Sequence, residues 1–117
     1  MSKILIVDDD MINRKLLKVL LKKNGYETIE AQNGMEALTL IKQEPVDMVL
    51  LDVFMPIMDG IDFLKIIKQD DSLKNIPVAI LTTDDTKKTE ALKLGACEVL
   101  IKPIKEEQLK NLLIVNL

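Results

Sequence analysis

Five short apolar runs alternate along the chain with five segments of helical periodicity, and this alternation leaves few folds open. The runs are Lys3 to Val7, Tyr26 to Ala31, Asp47 to Leu51, Pro77 to Leu81 and Glu98 to Ile101, each bounded by turn or polar residues. The first, third and fourth are almost wholly apolar, as strands are when both faces are covered. Strand and helix in alternation, joined by short loops, predict an α/β fold. Its form is a doubly wound five-stranded parallel sheet, order 2-1-3-4-5, with helices on both faces and right-handed crossovers.

The helical segments carry their own punctuation. From Asp10 to Asn24, Ile12, Leu16 and Leu20 with neighbours Leu17 and Val19 form a stripe, Arg14, Lys15, Lys18 and Lys22 fall outside it, and Gly25 terminates the segment. Asn33 with Glu36 resembles a capping box, and Pro45 closes that helix. Asp59 caps a third carrying Ile61, Leu64 and Ile67. A short fourth runs from about Thr86 to Leu94 before Gly95. The fifth starts near Lys105 and turns Leu109, Leu112 and Leu113 inward.

With 117 residues the chain is expected to form one domain over 1–117, around a single core. At 48% hydrophobic and 30% charged it is not a disordered sequence, and with 3% aromatics its core is aliphatic. A net charge of −3 without a Lys/Arg block argues against direct nucleic-acid binding. No apolar stretch approaches the roughly 20 residues that span a bilayer, and the first apolar run is too short for a signal peptide. Membrane insertion is therefore not expected, and the predicted compartment is cytoplasmic. The single cysteine, Cys97, fits a reducing compartment and reads as a small core residue. The absence of histidine removes Ser-His-Asp triads, Cys-His pairs, most zinc sites and any role as a phosphohistidine donor.

What remains for chemistry stands just past the strands. Asp8, Asp9 and Asp10 follow the first, Asp52 the third, Thr82 the fourth and Lys102 the fifth. In a parallel sheet of order 2-1-3-4-5 the ligand crevice opens beyond the carboxyl ends of strands one and three, where the strand order reverses. Carboxylates crowded there repel, so one takes a proton or a cation neutralises them. Oxygen-only donors favour magnesium or manganese over zinc, and magnesium keeps positions open for a phosphoryl group. An Asp carboxylate is a competent nucleophile toward phosphorus when positive charge holds the transferring oxygens. Asp52 is the best-placed nucleophile, Lys102 offers a point charge and Thr82 a hydroxyl.

These residues reach a known family. Ile4-Leu5-Ile6-Val7-Asp8-Asp9, Leu50-Leu51-Asp52-Val53-Phe54-Met55-Pro56-Ile57-Met58-Asp59-Gly60, Leu81-Thr82 and Lys102-Pro103 resemble the receiver domain of two-component response regulators, over essentially the whole chain. The resemblance implies a flavodoxin-like fold and a phosphorylation-activated switch. In that reading Asp52 is the phosphoacceptor. Asp9 is a direct Mg2+ or Mn2+ ligand, Asp8 acts on the metal largely through water, Asp52 shares in it, and the backbone carbonyl of Phe54 is a further contact. Thr82 and Lys102 serve the phosphoryl group, and the Lys102-Pro103 bond is expected to be cis. The implied partners are a histidine kinase or histidine phosphotransfer protein and a downstream protein target or attached output domain. Such a chain catalyses its own phosphorylation and dephosphorylation without being a conventional enzyme.

The sequence departs from the family pattern in three places. Val99 stands where receivers commonly have Tyr or Phe, three residues before the lysine. The interval from Thr82 to Lys102 is about two residues short, which shrinks the fourth helix or the loop before it. Thr83 replaces a residue that is often Ala, while Phe54 and Asp84 fill the positions that tune dephosphorylation.

Two other classes fit less well. An aspartate-nucleophile phosphatase needs a second carboxylate where Phe54 stands, and a nucleotide or flavin binder needs a phosphate loop where the three aspartates would repel phosphate. A phosphorylation-independent interaction scaffold on the same fold stays open as the alternative. For the leading reading, Phe54 is expected to shield the acyl phosphate from water. Phe54→Asn should then speed autodephosphorylation, followed by loss of the phosphorylated species over time; an unchanged rate contradicts the shielding role.

Overall fold

The computed structural model describes residues 2–53, 55 and 57–117. Its order is β1 (Lys3–Val7), α1 (Met11–Lys23), β2 (Glu27–Ala31), α2 (Gly34–Gln43), β3 (Met48–Leu51), α3 (Gly60–Gln69), β4 (Val78–Thr82), α4 (Lys88–Lys93), β5 (Glu98–Ile101) and α5 (Glu106–Asn116). The strands form one parallel sheet, as the alternation predicts, and its order β2-β1-β3-β4-β5 is the one expected. Strand bounds move by at most a residue from the sequence expectation. The fourth strand ends at Thr82, so that residue belongs to the sheet rather than to the loop after it.

Alternation of side chains along the pleat builds two cores from the same strands. Leu5, Val7, Val49, Leu51 and Ile80 pack with Ala37, Ile41, Phe63, Leu64 and Ile67 of α2 and α3. Ile4, Ile6, Met48, Leu50 and Leu81 face the other way, onto Leu21 of α1 and Leu109, Leu112 and Leu113 of α5. Both faces of the central strands are thereby dry, which explains their unbroken apolar sequence.

The helix caps follow ordinary hydrogen-bond chemistry. Asp10 accepts from Ile12 N and Asn13 N, Asn33 from Glu36 N, and Asp59 from Asp62 N. Glu36 completes its box on the backbone N–H of Gln32 rather than on the cap itself. After α1, Gly25 takes φ +89°, which favours a residue without Cβ. The fourth helical segment is reduced to a 3-10 turn at Asp85–Lys87 followed by six residues of α4, matching the short interval in the sequence.

Two expectations need correction. The face of α1 buried against the sheet is Arg14 and Leu21, with Leu17 and Leu20 half-buried, whereas Ile12, Leu16 and Val19 are exposed. Apolar residues cover most of this helix, so the stripe read from hydropathy joined the inward Leu17 and Leu20, which pack against the core, with the outward Ile12, Leu16 and Val19. Cys97 is exposed rather than core, because it lies just before an edge strand where its backbone N–H reaches Val78 O. Among the described residues no helix is long and apolar enough to cross a membrane.

The packing of α1 gives a direct test. Leu21→Ala, emptying a fully buried position, should cost about 2–5 kcal/mol in urea unfolding. Leu16→Lys should stay within about 0.5 kcal/mol of the parent. The opposite ranking would restore the hydropathy stripe.

Candidate functional site

The parallel ladders carry the polar residues to one edge. Val7 pairs with Leu51, and Asp52 N donates to Val7 O at 2.9 Å, so Asp52 leaves the sheet beside Asp8. On the far side Thr82 pairs with Ile101, and Lys102 N donates to Thr82 O at 2.7 Å. Residues from four strands thus meet without any long loop having to place them.

Asp8 is buried, and nearly every polar atom it has is engaged. Its N–H donates to Ala31 O, its Oδ1 accepts from Asp10 N at 2.9 Å, and its Oδ2 accepts from Lys102 Nζ at 3.1 Å. The same ammonium lies 3.6 Å from Asp52 Oδ2. Asp9 is exposed and completes a group in which carboxylate oxygens of Asp8, Asp9 and Asp52 all lie within 4.8 Å of one another.

Charge decides what this group favours. Carboxylate oxygens of Asp8, Asp9 and Asp52 lie within 4.8 Å of one another, and two unit charges at that limit repel by about 3.5 kcal/mol at an effective dielectric of about 20. Three carboxylates against one ammonium leave a surplus of two negative charges, which a single divalent cation cancels. All the donors are oxygens, one is exposed, and the cluster opens to solvent at Asp9, so the residues suit a hard cation that retains water. The expected contact through the Phe54 carbonyl lies outside the described residues.

Thr82 is fully buried, and its hydroxyl oxygen accepts from Asp84 N at 3.2 Å. A hydroxyl also carries one hydrogen to donate, so this bond leaves its donor capacity intact. Asp10 is the cap of α1, as its position before that helix suggests. Val99 is buried in the core, so no aromatic ring stands at that position to turn outward. The Lys102-Pro103 bond is cis, as expected.

Sequence reasoning missed two contributors. Asp59-Gly60 reads as a turn and cap, but a Cβ on Gly60 would overlap the backbone oxygen of Asp52 and lie 2.8 Å from Val53 Cα. With Gly60 N donating to Val53 O at 2.8 Å, the glycine lets the chain fold back against the acidic residue it follows. The same loop holds Ile57 at φ +71°, a conformation that costs a β-branched residue on the order of 1–3 kcal/mol. The second is Arg14, taken for a solvated cation but buried, its Nη1 donating to Asp8 O at 2.8 Å. The signal for it was a cation one turn past the aspartates on a helix that must return over the sheet.

Comparisons with known proteins identify the family and agree with the fold. A family model described as the response regulator receiver domain matches residues 4–114. The polar-differentiation response regulator DivK of Brucella anthropi is 40% identical over 103 residues, covering 86% of this chain and 84% of its own length. The chemotaxis protein CheY4 of Vibrio cholerae superposes with a TM-score of 0.93 at 35% identity, over 100% of this chain and 99% of the other. The response regulator TrrA of Thermotoga maritima, solved in complex with Mg2+-BeF, gives 0.92 at 32% identity over 100% of both chains.

Crowding in the acid cluster predicts an inverted mutational effect. In chelator, Asp9→Asn or Asp52→Asn should raise the thermal midpoint by a few degrees, and adding Mg2+ should raise that of the parent protein. Both substitutions lowering the midpoint in chelator would contradict a strained acid cluster.

Proposed function

The chain belongs to the response regulator receiver family, whose members are phosphorylation-activated switches of two-component signalling, and from that premise we propose that Asp52 accepts the phosphoryl group. The observation that carries this reading is the Lys102 ammonium, placed between Asp8 Oδ2 and Asp52 Oδ2 at the open edge of the sheet. Residues 1–117 act in it as one receiver domain.

In the proposed transfer an oxygen of Asp52 attacks phosphorus as the bond from phosphorus to the donor's imidazole nitrogen breaks, and that nitrogen keeps the electron pair. No general base is needed, because the carboxylate is already ionised. Lys102 moves from its carboxylate partners to a phosphoryl oxygen, and Thr82 donates its hydroxyl hydrogen to another. Asp8, Asp9 and Asp52 would hold Mg2+ or Mn2+, with the Phe54 carbonyl as the expected additional donor. A bound divalent cation supplies the positive charge that lets an anionic phosphoryl group approach an acidic pocket. The Mg2+-BeF complex of TrrA supports that reading. In the separate loss step water attacks phosphorus, the bond from phosphorus to the Asp52 oxygen breaks, inorganic phosphate leaves and the carboxylate is restored, so in this reading the chain takes part in both the gain and the loss of its modification.

The phosphoryl donor in this reading is a phosphohistidine on a histidine kinase or a histidine phosphotransfer protein. A groove of about 620 Å3 runs from Asp8 and Lys102 along α1, lined by Leu16, Val19, Leu20 and Ile104. With Leu16 and Val19 exposed, this groove offers the donor protein an apolar surface next to the acceptor. Phosphorylation then shifts a two-state equilibrium and changes what an output target binds.

Incubation with a small phosphodonor and Mg2+ should add one phosphoryl group by intact mass. Asp52→Asn or excess chelator should abolish the addition. Labelling that persists in Asp52→Asn would assign the acceptor elsewhere, and none in the parent protein would favour a phosphorylation-independent scaffold.

A further inference from the structure

We propose that Arg14 and Glu30 are positioning residues for the acid cluster, Arg14 fixing the peptide between Asp8 and Asp9 and Glu30 holding the guanidinium that fixes it. The proposal rests on the reading of Asp8, Asp9 and Asp52 as a divalent-cation site.

Arg14 sits in the second turn of α1 and is only 8% exposed, which for a permanent charge requires partners. It has two. Nη1 donates to the carbonyl oxygen of Asp8 at 2.8 Å, and Nε donates to Glu30 Oε1 at 3.2 Å. Glu30 in turn accepts from Lys15 Nζ at 2.9 Å, with Lys18 Nζ at 3.8 Å. The Lys15 bond is the chief reason that the Glu30 carboxyl is held below its ordinary range, with Arg14 and Lys18 adding to it against the opposing effect of burial. A carboxylate ionised in this way anchors the guanidinium through charge as well as geometry.

The arrangement grips Asp8 at both backbone poles from neighbouring residues of one strand. Ala31, the last residue of β2, accepts the Asp8 N–H, and Glu30, the residue before it, holds the arginine that takes the Asp8 carbonyl. The carbonyl of Asp8 lies in the same rigid peptide plane as the N–H of Asp9. Its orientation therefore fixes the N and Cα of Asp9 from which the side chain leaves the backbone, and Asp9 is the exposed member of the cluster. Loss of such an outer contact typically weakens metal binding by about 10–100-fold while the ligands themselves remain.

The test is calorimetric titration with Mg2+ of the parent protein, Arg14→Met, Arg14→Lys and Glu30→Gln, with thermal midpoints measured in chelator. Arg14→Met should weaken Mg2+ binding by about tenfold or more. Arg14→Lys should recover part of this, because an ammonium cannot serve both acceptors in the same fork geometry. In phosphodonor assays Arg14→Met should need more Mg2+ for half-maximal rate while keeping its maximal rate. Should Arg14→Met not fold, Glu30→Gln, of nearly equal shape, carries the test with a smaller loss of affinity. Parent-like Mg2+ affinity in folded Arg14→Met, or in Glu30→Gln where the arginine variant does not fold, overturns this proposal alone, even if the midpoint falls. A lost maximal rate at saturating Mg2+ also overturns it. A parent protein that takes up no Mg2+ overturns the metal-site reading, and this proposal with it.

Discussion

Like charges held together by a parallel ladder are the constraint on which the site depends. Because β1 and β3 are adjacent and in register, Asp8 and Asp52 emerge side by side whatever their side chains prefer. Their repulsion is met by one ammonium from the opposite side of the pocket, at 3.1 and 3.6 Å. The dry, aliphatic core beneath keeps the strand ends from moving apart, since shifting one central strand disturbs both packed faces at once. Fold stability is in this sense spent on maintaining an electrostatically unfavourable edge, and that edge is what a cation and a phosphoryl group can use.

Much of this was legible in the residues. Apolar runs of four or five residues bounded by polar ones are strands by length, and doubly covered strands by their lack of alternation; the sheet order came with the common doubly wound topology and the receiver resemblance, and the polar edge followed from it. Asp10 was legible as a cap, and the short interval from Thr82 to Lys102 as a smaller fourth helix or a smaller loop before it. The α1 face was legible only in part, because the apolar stripe holds the inward Leu17 and Leu20 together with the outward Ile12, Leu16 and Val19 and leaves out Leu21. Only the tertiary position of Asp8 and Glu30 decides that a cation turns inward. Gly60 was read as local turn chemistry, since its closeness to the Asp52 backbone depends on how the loop returns.

The output side of the pocket is built differently from its input side. Val99 is locked in the core, so the polar route from the pocket toward the turn after β4 passes through Thr82, whose hydroxyl accepts from Asp84 N. Asp84 itself caps the turn through Thr86 N at 2.8 Å. A change in the Thr82 hydroxyl bears directly on a turn only one residue removed from it. The apolar outer face of α1 lies beside Lys102, on the other side of the sheet from α3 and its packing. The same groove reaches Thr83, between Thr82 and Asp84, so the apolar face of α1 and the turn after β4 adjoin at the strand ends.

The central claim is that Lys102 and a divalent cation share the neutralisation of the same carboxylates. Calorimetric titration of Lys102→Met with Mg2+ tests it most directly. Removing the ammonium takes a positive charge from beside the carboxylates of Asp8 and Asp52, so the variant should bind Mg2+ more tightly than the parent, by about an order of magnitude or more. Equal or weaker binding by a folded Lys102→Met would contradict the account.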